Sequence, residues 1–232
     1  MNTKGQTGTG SSAGDKSPVA ASDVVFYGVL RGLENQTFVP GQRLVESDLA
    51  LTFGVSRNSV REGLQRLVSE GVIELLKHRG AVIRTLDLRD TMAVLDVAEL
   101  MTGLLLRAAA ARQEQCPDLK QTLMQSLDDL QAAHDSRDDP TFNRSRRVLY
   151  RALLDMANNR ELRRLFPMIG MPIVYAQHRL PMLQQIRVRD YRRMVAVVLS
   201  GEQEAAEALG RQHVQNVSTC ICDNYARQVV RE

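Results

Sequence analysis

Residues 41–71 read GQRLVESDLALTFGVSRNSVREGLQRLVSEG, and the fold turns on how that stretch divides. Leu44, Leu49 and Ala50 recur at helical spacing and mark a first short helix. Gly54 supplies the backbone freedom of a sharp turn, and Ser56 stands where an N-cap belongs. A second helix therefore starts at Arg57 and is stopped by Gly71. Along it Val60, Leu64 and Leu67 form a buried stripe, so Arg57, Asn58, Arg61 and Gln65 project elsewhere, with Ser59 beside them. Guanidinium and amide groups suit phosphates and base edges in a major groove, so the pair reads as a DNA-recognition unit. The plainer alternative is an amphipathic helix pair whose arginines form a solvated face.

Outward from this stretch, two β-branched, apolar-rich runs at 72–76 and 81–86 flank Lys77, His78, Arg79 and Gly80, which predicts a hairpin with a basic tip. Placed directly after a recognition helix, such a tip suits DNA backbone or minor groove; the alternative is a packing hairpin facing water. Upstream, Val25, Val29 and Leu33 predict a third helix ending near Asn35. Residues 22–86 carry 8 basic and 7 acidic side chains, so attraction to DNA rests on a local patch and not on bulk charge. Residues 1–21 are rich in Gly, Ser and Thr and read as a disordered tail without a signal-peptide core.

The stretch 41–71 closely resembles the winged helix-turn-helix of the GntR family of bacterial transcription regulators. The resemblance is carried by Gly41, Leu44, Glu46, Leu49, Ala50, the run Gly54-Val55-Ser56-Arg57, Val60-Arg61-Glu62, Leu64, Leu67 and Glu70-Gly71. It implies a double-stranded DNA operator as partner. The chain's 232 residues leave room for a further core of about 140 residues, so two domains are expected, 22–86 and 87–232. The second reads as all-α, with helical patterns over 90–113, 118–136, 140–158, 161–179, 182–199 and 202–229, joined by short loops as in a bundle. The fold class is therefore mainly α, a winged helix-turn-helix followed by a helical bundle.

A GntR-type head followed by such a bundle resembles the FadR branch, whose FCD domain binds a small effector. The anchors are Leu149-Tyr150 to Leu153 with Ala157-Asn158-Asn159, and Asp190-Tyr191 with Ala205-Ala206 and His213. Many FCD domains hold a metal with an Asp and a His one turn apart and two later His. The matching positions here are Arg146, Tyr150, Tyr191 and His213, a set poorly suited to a divalent ion, so no metal or other cofactor is expected. Arg146 and Tyr150 share a helix face, and Tyr191 and His213 each lie on an apolar stripe, so all four are expected to converge. Such a site suits a carboxylate or phosphate, with Arg146 as bidentate partner; the alternative is four ordinary core residues. Tyr175 and His178 are open between lining the cavity and facing water.

These readings predict a ligand-responsive transcription regulator, a repressor working as a cytoplasmic homodimer on a palindromic operator and switched by a small anionic metabolite. One recognition helix reads too few bases alone, and two-fold symmetry doubles the site. Two alternatives stay open: a FadR-type fatty-acyl-CoA sensor, and an architectural DNA-binding dimer without a ligand. An enzyme is not expected: there is no GxSxG, no glycine-rich phosphate loop and no paired carboxylate beside an inward His. Cys116, Cys220 and Cys222 lack paired CxxC spacing, as in a reduced chain, and no run approaches a membrane span, so no membrane partner is expected.

Overall fold

A computed structural model of the chain describes residues 20–229; the tail expected at the N-terminus lies almost wholly outside them, and Ala21 already begins a helix. The head comprises α1 (Ala21–Glu34), α2 (Glu46–Phe53), α3 (Arg57–Ser69) and a hairpin of β1 (Ile73–Leu76) and β2 (Gly80–Ile83). Gly54 closes α2 with a left-handed backbone at φ 65°, a conformation that costs a side-chain-bearing residue more than glycine. Leu44, expected inside the first helix, instead precedes it. Its amide donates to the Ala81 carbonyl at 2.8 Å, and Arg43 pairs with Val82, so this segment edges the hairpin. The hairpin register sets Ile73 opposite Ile83 and Leu76 opposite Gly80, and the strands end sooner than the apolar runs imply.

The bundle follows as α4 (Leu88–Ala110), α5 (Pro117–Ser136), α6 (Asp139–Ala157), α7 (Arg160–Leu165), α8 (Met171–Gln177), α9 (Pro181–Ser200) and α10 (Gln203–Val229). The single helix expected over 161–179 is two short ones. Pro167 removes a backbone donor, a 3₁₀ turn covers Phe166–Met168, and Gly170 takes φ 78°. α4 lies along α10, and α5 packs on α6 and α9. A Cβ at Gly210 would stand 2.8 Å from the Thr102 carbonyl oxygen, so the α4–α10 approach depends on the absent side chain.

Head and bundle share one core. Val25, Val29 and Leu33 of α1 belong to the same cluster of buried side chains as Leu95 of α4, Ile173 and Val174 of α8, and Val217 of α10. The connection after β2 is pinned as well: the Leu86 amide donates to Gln177 Oε1 at 2.9 Å, and Gln177 Nε2 donates to the Leu86 carbonyl. Asp87 then caps α4, accepting from the Asp90 amide at 2.7 Å.

Candidate nucleic-acid interface and effector cavity

Helix α3 is oriented by its cap and its stripe. Ser56 Oγ accepts from the Ser59 amide at 3.1 Å, while Val60 and Leu67 are fully buried. The opposite face leaves Arg57, Asn58, Arg61 and Gln65 exposed and Ser59 half-buried. Asn58 Nδ2 donates to Glu62 at 2.9 Å, and Arg61 Nε donates to Glu46 at 2.9 Å. Both bonds are exposed, so water and salt weaken them and the side chains are free to exchange partners. The hairpin tip presents Lys77, His78, Arg79 and Gly80 to solvent, with His78 turned at φ 68°. Between α3 and the hairpin runs a groove of about 610 Å³ lined by Arg57, Arg61, Gln65, Gly80 and also Arg43. Arg43 has no counterpart in the sequence reading, because helical spacing assigns the strand-edge segment that aims it to a helix.

The second site is a cavity of about 880 Å³ where α1, α4, α6, α8 and α10 meet. Its polar lining includes Glu34, Arg146, Tyr150, Tyr175 and His213, and Leu95, Ala98, Val214 and Val217 add apolar surface. Arg146 and Tyr150 are one turn apart on α6, as their spacing predicts. Tyr191 stands edge-on to Tyr150 at 5.7 Å and 5.0 Å from the His213 ring, yet it backs the cavity and does not line it. Tyr175, left open by the sequence, is the hub: the Arg146 guanidinium lies 3.7 Å from its ring centroid and that of Arg187 lies 4.6 Å away.

Arg187 is a residue that sequence reasoning missed. It sits one turn before Tyr191 on α9, only 6% exposed, and two of its nitrogens lack partners among the described residues. Arg146 is 4% exposed; its Nη2 reaches Glu34 at 3.3 Å, and its Nε has no partner among them. Burial opposes the Arg146 charge, but Tyr175 and Glu34 outweigh it, so the guanidinium is held protonated more firmly than usual. Burial likewise raises the Tyr150 and Tyr191 phenols, which stay neutral.

His213 is 3% exposed, and its Nδ1 lies 3.1 Å from Asp190 Oδ2, which also accepts from Asn216 at 2.9 Å. Burial lowers the His213 pKa more than Asp190 restores it, leaving a neutral imidazole. The carboxylate then fixes the proton on Nδ1, so Nε2 is an acceptor and not the donor expected of an anion site. Burial pushes the Asp190 carboxyl up, but the bonds from His213, Asn216 and Arg189 dominate and hold it at about 2. This donor set does not fit a divalent metal: a guanidinium and two neutral phenols offer no anionic ligand, and the Asp190 oxygen facing His213 is already engaged.

A pH dependence follows. His178 is also lowered, by burial and then by Arg187. Both imidazoles are neutral in the fold, so stability is fully present above their ordinary value of 6.5 and declines as pH falls below it. Asp190 adds stability that is present above 3.8 and lost as pH falls toward 2. Melting temperatures between about pH 7.5 and 5 should fall, and the slope should shrink in His213→Asn. An unchanged slope in that variant would show that the fold does not lower the His213 pKa.

A winged helix-turn-helix joined to a helical domain with an internal cavity defines a DNA-binding regulator with a sensor domain, and comparison with known proteins gives its lineage. Residues 24–83 match the profile of bacterial regulatory proteins of the gntR family, and residues 93–216 match the FCD domain. The chain belongs to the GntR family of transcription regulators, with a C-terminal FCD domain. It is 27% identical to the uncharacterized HTH-type transcriptional regulator YdhC of Bacillus subtilis (strain 168) over 199 residues, covering 82% of this chain and 84% of that protein. An uncharacterized HTH-type transcriptional regulator in the TAR-I ttuE-ttuC' intergenic region of Agrobacterium vitis is 28% identical over 101 residues, 43% of this chain and 57% of that protein. The solved structure of E. coli McbR/YncC shares the fold at a TM-score of 0.77 and 19% identity, covering 89% of this chain and 99% of that one. No helix among the described residues is long and apolar enough to cross a membrane.

Proposed function

We propose that this regulator is a repressor that acts in the cytoplasm as a homodimer, binds a palindromic operator and is released by a small anionic metabolite in the cavity. In this reading Arg57, Asn58, Ser59, Arg61 and Gln65 face base edges and phosphates. Lys77, His78, Arg79 and Gly80 grip the flanking backbone or minor groove. Arg43 lines the same groove and adds a further phosphate contact. For the dimer, support comes from α4, where Val97, Leu100 and Leu104 lie on one stripe and stay about half exposed (48%, 56% and 47%).

The observation that carries the receptor half is an imbalance of buried charge. Two guanidiniums, Arg146 and Arg187, crowd the Tyr175 ring, and among the described residues Glu34 is the one carboxylate that pairs with either. Asp190 is taken up by His213, Asn216 and Arg189. A buried cation without a matched anion is costly, and an incoming carboxylate or phosphate removes that cost.

The test is an operator selected from random duplexes, bound with and without malonate or inorganic phosphate at matched ionic strength. Two protomers per palindrome and release by an anion are expected. If no carboxylate or phosphate alters operator affinity or melting temperature, the receptor half fails while the DNA-binding half stands. The wing makes a separate prediction: Lys77→Ala and Arg79→Ala should weaken specific and random duplexes alike, and each should flatten the salt slope by about 1 for every phosphate left without its cation. A slope equal to the parent's would remove the hairpin from the interface.

A further inference from the structure

Of the carboxylates that line the cavity, Asp23 pairs with Arg66 and Asp155 with Arg163, while Glu34, from the DNA-binding head, pairs with Arg146. Glu34 is the last residue of α1, at the negative end of the helix dipole, where an acidic side chain does not stabilise the helix. Helix α6 compensates: Arg146 Nη2 lies 3.3 Å from one carboxylate oxygen, Arg147 Nη1 lies 3.4 Å from the other, and Asn143 donates to the Glu34 carbonyl at 2.8 Å. Both ion-pair distances are long beside the roughly 2.7–2.9 Å of a good charge-assisted bond. One carboxylate is thus stretched between two guanidiniums and grips neither as a fork. The buried Arg146 Nε has no partner among the described residues.

We propose that Glu34 is a built-in occupant of the anion seat, and that an effector's carboxylate or phosphate exchanges with it at Arg146. This rests on the reading of the cavity as an anion receptor. A free anion can meet the Arg146 fork at bidentate geometry, which Glu34, tethered to α1, does not reach. The ligand class is a compact molecule that presents a terminal carboxylate or phosphate to Arg146, its body against Leu95, Ala98, Val214 and Val217. The exchange is felt at the DNA because α1 underlies the recognition helix. Arg66 of α3 covers the Phe26 ring at 3.9 Å and pairs with Asp23 at 2.5 Å, and Gly63 of α3 sits against Val25. Freed from Arg146, the end of α1 keeps, among the described residues, Arg147 and Asn143 as its polar ties to α6, so ligand binding and head position compete through one residue.

The test is Glu34→Gln in the full chain, titrated with malonate and with inorganic phosphate against chloride at equal ionic strength. Glu114→Gln, which removes an exposed carboxylate elsewhere, controls for overall charge. With the competitor gone, the probe should bind the Glu34→Gln chain about tenfold more tightly than the parent, and its effect on operator affinity should shrink. Glu34→Asp, which keeps the charge but draws it back by one methylene, should fall between and serves if the amide variant misfolds. If parent and both variants bind the probe within about twofold of each other, Glu34 does not occupy the seat, while the receptor reading survives. If none of the chains binds either probe, the receptor reading itself fails and takes this proposal with it.

Discussion

Arg57→Ala and Arg61→Ala should each weaken binding to the selected operator by about 1–3 kcal/mol where the side chain meets a base edge, or roughly 5–150-fold in dissociation constant. Neither change should disturb the fold. Both side chains are exposed on α3, and the Arg61–Glu46 pair has 64% and 40% of its two side chains open to water, so its removal costs little. Fluorescence anisotropy on the operator and on a random duplex at equal salt separates two meanings of the result. A loss confined to the operator marks base readout; an equal loss on both marks phosphate contact. Parental affinity in both variants would show that α3 does not enter the groove.

The head was legible because its signals are local. Ser56, Gly54 and the Val60 stripe each act within a few residues of themselves, and each produces the cap, the turn and the buried face that its chemistry predicts. Errors arise where a neighbour in space overrides local pattern. Leu44 has helical spacing to Leu49, but the Ala81 carbonyl claims its amide, and the segment becomes a strand edge carrying Arg43. The helix pattern over 161–179 hides a break for the opposite reason: Pro167 and Gly170 are in plain view, and the apolar periodicity around them masks the missing donor.

The cavity was half legible for a related reason. Resemblance and helical spacing bring Arg146, Tyr150 and His213 to one place, and they do line one cavity. Arg187 carries a readable signal, one turn before Tyr191 on the same inward face, yet a lone arginine in a basic stretch reads as solvated surface. Glu34 carries none. Its contact with Arg146 spans 112 residues and two domains, and nothing in either local sequence encodes it. The same holds for the His213 tautomer, which depends on Asp190, a residue that enters the sequence reading only as the neighbour of Tyr191.

Arg146→Ala should abolish most of the stabilisation that an anion gives the parent. By binding linkage a ligand at a hundred times its dissociation constant adds about 2.7 kcal/mol, so the parent's melting temperature should rise by several degrees and the variant's should barely move. The free variant should still fold, because Glu34 keeps Arg147, whose side chain is 27% exposed, and is not left as an unpaired buried charge. Arg187→Met provides the comparison that decides the anchor. Arg187 stacks on Tyr175 but is absent from the cavity lining, so its removal should weaken the probe less than the removal of Arg146. If Arg187→Met abolishes the response while Arg146→Ala keeps parental affinity, the anion sits on the far side of the Tyr175 ring. Arg146 would then be a structural partner of the head, its pairing with Glu34 a fixed tie between domains with no part in ligand binding.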